Sequence, residues 1–259
     1  MSALPYAGGA VLVLMLAQWI ASLPLKDASI VDRFWGAGFV LVAACTAYVT
    51  APMTPRGWVV LAVVTLWGLR LSAYLTWRNW GEGEDRRYQK MRSQWGARFG
   101  VVSLFTVFLF QGAVMLVIAT PVMVAIAARD ESLGALDVVA GITFLIGFTF
   151  ETVGDLQLSR FLASSNAAGQ VMDRGLWRYT RHPNYFGDAL AWWGIATLAF
   201  ATGAWWTAFA PAIMTFLLLK VSGVVLLEKT IVKRRPAYED YARRTSAFIP
   251  WPPRETQPR

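Results

Sequence analysis

Histidine and cysteine are almost missing from this chain, and charge is sparse. Of 259 residues, one is cysteine (Cys45) and one is histidine (His182). A single cysteine excludes an internal disulfide framework. Cys45 lies in an apolar stretch and reads as a buried, inert thiol. One histidine and one cysteine far apart cannot supply zinc's usual ligands, so no metal site is expected. Asp, Glu, Lys and Arg make up only 15% of the chain, against roughly a quarter in soluble domains. Signatures of common soluble enzymes are also missing: no GxSxG elbow, HExxH, P-loop or GxGxxG. The pair Gly81 and Gly83 lacks both a third glycine and a preceding strand. Met1 to Leu23 has no basic leader and reads as a retained first span, not a cleaved signal.

What the chain has is apolar sequence. Hydrophobic residues account for 56%, and mean hydropathy is +0.44. Apolar runs predict spans near 4–23, 34–51, 57–79, 101–127, 135–160, 185–203 and 205–227. The expected fold is therefore an all-α integral membrane protein, a seven-transmembrane-helix bundle forming one domain over 1–259. Pro52 to Arg56 and Arg129 to Ser132 read as short turns, and Thr202 to Ala204 as a very tight hairpin. The proline-rich tail from Pro250 to Arg259 reads as loose.

The net charge of +8 is mostly a topological signal. With the N-terminus outside, the outer turns carry only Arg56 and Arg129. The inner segments carry Lys26 and Arg33, then Arg86 to Arg98, Arg160 to Arg181 and the basic stretch from Lys229 onward. The positive-inside rule then gives N-terminus out and C-terminus cytoplasmic.

Three polar constellations do not belong in a simple span. Arg70, Tyr74 and Arg78 recur every four residues on the third span, which places them on one helical face; GEGEDRRY follows from Gly81 to Tyr88. Arg78 could snorkel to the interface, but Arg70 lies about two turns deeper and needs an anion or a cavity. Glu151 and Asp155 sit one turn apart on the fifth span. They read either as a structural ion pair with Arg70 or Lys220, or as acids facing a ligand cavity, the usual role of intramembrane carboxylates.

The third constellation is RYTRHPNYFGD, from Arg178 to Asp188, preceded by Asp173 and Arg174. It concentrates cations, planar rings and an amide at the threshold of a span, as an anionic, aromatic-headed cofactor would require. His182 capping a turn, with tyrosines in an aromatic belt, is the plainer reading. It leaves Arg178, Arg181, Asn184 and Asp188 together unexplained.

With its surroundings, GLWRYTRHPNYFGD, followed by Glu228 and by YEDYARRTSAFIP from Tyr238 to Pro250, resembles the C-terminal half of the membrane steroid 5-alpha-reductase family, above all its short bacterial members. WGLRLSAYLTWRNWGEGEDRRY, from Trp67 to Tyr88, is similar to those members as well. Sterol C14-reductases share the C-terminal motif, and isoprenylcysteine carboxyl methyltransferases have a more distant version. The chain departs from animal steroid reductases at Lys229 to Arg235, where their histidine-rich stretch is missing.

The resemblance implies seven helices enclosing an NADPH cavity, in the bacterial inner membrane. It implies hydride delivery to the conjugated C=C bond of a lipophilic 3-oxo-Δ4-steroid or similar enone, admitted from the bilayer. Asn184, Asp188, Glu151 and Asp155 would surround the nicotinamide and its ribose. Arg78, Arg87, Arg174, Arg178 and Arg181 would hold phosphates, joined in the cofactor site by Arg70. Tyr179, His182 and Tyr185 would line the adenosine end. Tyr74, a neutral donor, is the candidate for the substrate carbonyl, with protonated Asp188 second and Glu151 as a further catalytic acid. The basic load and the Asn184 and Asp188 positions favour NADPH over S-adenosylmethionine. An isoprenylcysteine-type methyltransferase and a non-enzymatic sterol- or lipid-binding protein remain the alternatives. No nucleic-acid partner is expected.

Overall fold

A computed structural model describes residues 3–129, 132–164, 169–221 and 237–254. It is helical throughout, with no β-strand among the described residues. Among the described residues, four helices are long and apolar enough to cross a membrane: Leu4–Leu25, Pro55–Arg78, Arg86–Ile118 and Ala135–Leu162. Trp35–Thr50 and Trp205–Lys220 are shorter apolar helices. The chain divides into two compact units: Met1–Asp137 with Leu198–Ala210, and Val138–Thr197 with Pro211–Arg259.

In the first unit, α1 (Leu4–Leu25) starts with Pro at its first turn and ends where Lys26 turns left-handed at φ 50°. Its buried stripe is Ala7, Val11, Met15, Gln18 and Ser22, while Leu12, Val13 and Ile20 are exposed. That division suits a helix packed on one side and bathed in lipid on the other. Two short segments follow, α2 (Ile30–Arg33) and α3 (Trp35–Thr50). α4 (Pro55–Arg78) is capped by Thr54, whose hydroxyl accepts from Gly57 N at 3.2 Å.

The stretch from Gly81 to Tyr88 is a loop in its first half only. Asp85 accepts from the Arg87 amide and starts α5 (Arg86–Trp95). Beyond it run α6 (Phe99–Ser103), a π-helical turn at Leu104–Leu109, and α7 (Phe110–Ile118). The predicted single span 101–127 is broken at Ala119, before α8 (Thr120–Ala127). Pro121 has no N–H to give to Val117. The Thr120 hydroxyl donates to Val117 O at 2.8 Å instead.

Arg56 is fully buried. Its guanidinium donates to both carboxylate oxygens of Asp137 at 2.7 and 3.1 Å and to Ser132 O at 2.6 Å. The predicted tight turn is observed, with Gly203 at φ 83° between Phe200 and the 3₁₀ turn Trp205–Ala208.

The second unit is organised by α9 (Ala135–Leu162) and α10 (Pro183–Phe200), followed by α11 (Phe209–Phe216). The first two cross backbone to backbone. A Cβ on Gly147 would lie 2.3 Å from Ala191 N, and one on Gly187 would lie 2.2 Å from Glu151 N. Gly154 meets Asn184 and Gly194 meets Phe144, so the two helices run antiparallel. Small residues permit this approach where apolar burial alone does not drive helices together. The last described helix is α12 (Tyr238–Arg244).

Candidate functional site

The glycine crossing sets the site of the second unit. It turns the Glu151–Asp155 step of α9 toward the Asn184–Asp188 step of α10. Asn184 Nδ2 donates to Asp155 Oδ1 at 3.0 Å. Glu151, Asp155 and Asp188 are 2%, 4% and 7% exposed, so three carboxyl groups are withdrawn from solvent on apolar helices. Such groups are expensive to bury and point to function. The opposite carbonyl of Asn184, Oδ1, is buried and has no hydrogen-bond partner among the described residues.

The loop before α10 is docked on α9 by specific bonds. Trp177 Nε1 donates to Gly154 O at 3.0 Å, and Leu176 N to Gln157 Oε1 at 3.0 Å. Gly175, at φ 59°, has Gln157 against it at a distance that leaves no room for a Cβ. His182 precedes α10, its carbonyl accepting from Phe186 N and its ring stacked on Tyr185 at 5.6 Å. His182 is buried at the start of this helix.

The segment after α12 straps this loop in place. Arg181 N donates to Ser246 O at 2.9 Å, Trp251 N to Tyr179 O at 2.9 Å, and Thr180 Oγ1 to Phe248 O at 2.8 Å. Thr180 and Ser246 form an isolated parallel bridge. Arg181 Nη1 donates to Ala242 O at 2.6 Å. Buried Tyr241 donates through its hydroxyl to Trp177 O, and burial pushes that phenol's pKa up. Arg244 pairs with Asp173 at 2.6 Å. Pro250 to Arg254, expected to be loose, belongs to this strap: Arg254 N donates to Arg244 O at 2.9 Å. Glu228 and the stretch from Lys229 to Arg235 lie outside the described residues.

The predicted arginines differ in their surroundings. Arg174 and Arg178 are exposed on the strapped loop beside Tyr179, and neither has an ion-pair partner among the described residues. Arg181 is half-buried and bonded as above. Arg70, Tyr74, Arg78 and Arg87 belong to the first unit. There the i, i+4, i+8 spacing produces a stack: the Arg70 and Arg78 guanidiniums sit 5.2 and 5.5 Å from the Tyr74 ring centroid. Arg87 is committed to structure, pairing with Asp32 at 2.7 Å and Asp85 at 2.9 Å.

Sequence reasoning missed Gln157, Thr180 and Tyr241 as the residues that hold the loop. Their signal was faint: Tyr238 and Tyr241 at i, i+3 on an otherwise charged helix. Among the described residues there is no group of three or more His, Cys, Asp or Glu side chains able to hold a metal ion.

A Schizosaccharomyces pombe protein described as uncharacterized is 25% identical over 287 aligned residues, covering 95% of this chain and 80% of the yeast protein. No solved structure matches. Residues 18–245 match one family profile, taking in α9, α10 and α12, and the chain belongs to that family, described as "Protein of unknown function (DUF1295)".

Proposed function

We propose that this chain is a membrane reductase of the steroid 5-alpha-reductase type, using NADPH to reduce the conjugated C=C bond of a lipophilic enone such as a 3-oxo-Δ4-steroid. The observation that carries the reading is the Asn184–Asp155 bond with Asn184 Oδ1 left buried beside it. Asp155 fixes the amide by accepting a hydrogen bond from its NH2 group. The other end is an acceptor suited to an amide N–H, such as a nicotinamide carboxamide offers. The chemistry of the residues present therefore fits the cofactor.

NADPH, when bound, supplies the hydride. Glu151, Asp155 and Asp188 form a buried acidic surround that favours positive charge developing on a nearby ring. Arg174 and Arg178 are available for phosphate oxygens, which guanidinium forks bind bidentately. Arg181, tied to Ala242, would steady the loop between them. His182 and Tyr185, stacked on one another, offer planar faces for an adenine. Tyr74 is the proposed donor to the substrate carbonyl. The flanking Arg70 and Arg78 charges would favour enolate character on an oxygen held by its hydroxyl.

In the same reading the chain forms seven spans in the bacterial inner membrane, N-terminus outside and C-terminus cytoplasmic, enclosing the cofactor. The test is NADPH consumption by detergent-purified protein supplied with progesterone, with the steroid product identified. Turnover lost in Asp188→Ala and Tyr74→Phe supports the assignment. NADPH binding without turnover removes the steroid and keeps the cofactor. Absence of NADPH binding removes the reductase and brings S-adenosylmethionine forward.

A further inference from the structure

Exposed apolar side chains on a polar loop need a reason, and the strap gathers three. Trp251 is 69% exposed, Ile249 64% and Tyr179 42%. None lies in a spanning helix. The Trp251 N to Tyr179 O bond holds the first and last of these side by side. Tyr179 lies four residues before Pro183, where α10 begins. Trp and Tyr at the foot of a membrane helix are the usual residents of the headgroup layer.

The charge around them is predominantly positive. Asp173 is taken up by Arg244, and Asp240 by Arg243. Glu239 is the remaining acid on α12 and is exposed. Against it stand Arg174, Arg178 and Arg254, all exposed. The patch is thus an apolar tip within a cationic rim, on a segment pinned by backbone hydrogen bonds.

We propose that Tyr179, Ile249 and Trp251 form an interfacial anchor that inserts into the anionic headgroup layer of the membrane the chain occupies, with Arg254 on lipid phosphates. Apolar insertion and attraction to anionic lipid then act on one surface. The pinning makes the anchor specific: the loop carrying Arg174 and Arg178 is fixed on one side to α9, through Trp177 and Leu176, and on the other to the lipid surface. The proposal needs a bilayer and is independent of which cofactor, if any, the loop holds.

The experiment places a nitroxide at Pro252→Cys in a Cys45→Ser background, next to Trp251. Collision rates with oxygen and with a water-soluble nickel chelate are read in phosphatidylcholine bilayers with and without phosphatidylglycerol. The expected oxygen-to-nickel ratio exceeds that of a small nitroxide dissolved in the same buffer by about threefold or more, because oxygen enriches in the bilayer. The Trp251→Ser, Ile249→Ser double variant, which keeps the Trp251 backbone bond, should fall to the dissolved value. Arg254→Glu should lower the ratio only where phosphatidylglycerol is present. A label as water-exposed as the dissolved nitroxide overturns the proposal. So does dipolar broadening between labels, which would put a second copy of the chain over the patch.

Discussion

Asn184 and Asp155 are joined across two antiparallel helices by a 3.0 Å bond from amide to carboxylate. The bond lies one turn from a place where Gly187 and Glu151 backbones nearly touch. The glycines set the distance and the amide uses it. Replacing Asn184 by Ala should leave Asp155 without that donor and cost about 1.5–3 kcal/mol, as for hydrogen bonds to charged groups. Thermal unfolding in detergent measures the loss. Under the proposed function NADPH affinity falls with it, and retained affinity would remove Asn184 from the cofactor site.

The crossing itself can be tested with a matched pair. Gly187→Ala puts a methyl where Glu151 N already stands, so the helices must separate. Overpacking of this kind costs about 3 kcal/mol or more, and the variant should show a low unfolding temperature. Gly141→Ala, also on α9 but with nothing within 4 Å of the new Cβ, should be neutral or stabilising by roughly 0.5–1 kcal/mol.

Acid should release α5 from the loop after α1. Glu84 accepts from Arg92 at 2.8 and 2.9 Å and from Ala28 N at 2.9 Å. Burial pulls this carboxyl's pKa up, but the Arg92 bond, the Ala28 amide and the Arg92 charge outweigh it and hold the pKa below the ordinary value. A depressed folded pKa contributes stability above the unfolded value of about 4.3, and that contribution disappears as pH falls through the folded value. Protection of the amides across 84–95, taken relative to their intrinsic exchange rates, should therefore fall below about pH 4. Glu84→Gln should exchange faster at neutral pH and lose the acid step.

Tyr241→Phe removes one hydroxyl from the strap without emptying its volume. The Trp177 carbonyl then loses its donor. Exchange should quicken at the Arg181 and Trp251 amides, which bond to Ser246 and Tyr179, while α9 amides stay protected. Unchanged exchange at both amides would mean the strap does not depend on Tyr241.

Arg178→Ala should raise the NADPH dissociation constant about tenfold or more, the equivalent of one charged hydrogen bond of roughly 1.5–3 kcal/mol. Titration of the purified protein reads it directly. Arg87→Ala provides the contrast. Since Arg87 is bound to Asp32 and Asp85, its loss should appear in stability more than in affinity.

How far the sequence could be read follows the range of the interactions. The helices Leu4–Leu25, Pro55–Arg78 and Ala135–Leu162 were legible within a few residues, because hydropathy is local, as are Pro5 in the first and Thr54 before the second. The Arg70–Tyr74–Arg78 face followed from spacing and is observed as a stack. The pairing of Asp155 with Asn184 was not legible, since it depends on glycines 40 positions apart finding one another. The strap was misread for a similar reason. Prolines suggested a loose tail, but backbone donors and acceptors of Ser246, Phe248 and Trp251 are satisfied by a loop some 70 residues earlier. The break at Ala119 had a visible cause in Pro121, which the unbroken hydropathy of 101–127 concealed.

The buried pair of Arg56 and Asp137 has a bearing on how the chain is made. The two residues lie 81 positions apart, so the ribosome delivers the arginine first and its counterion much later. At typical elongation rates the interval is roughly 4–16 s. During that time the start of α4 carries a charge with no carboxylate to neutralise it, and it must wait at the water-facing end of the translocation channel. Only the arrival of α9 lets that end settle. Asp137→Asn should therefore slow or misdirect membrane integration of the nascent chain.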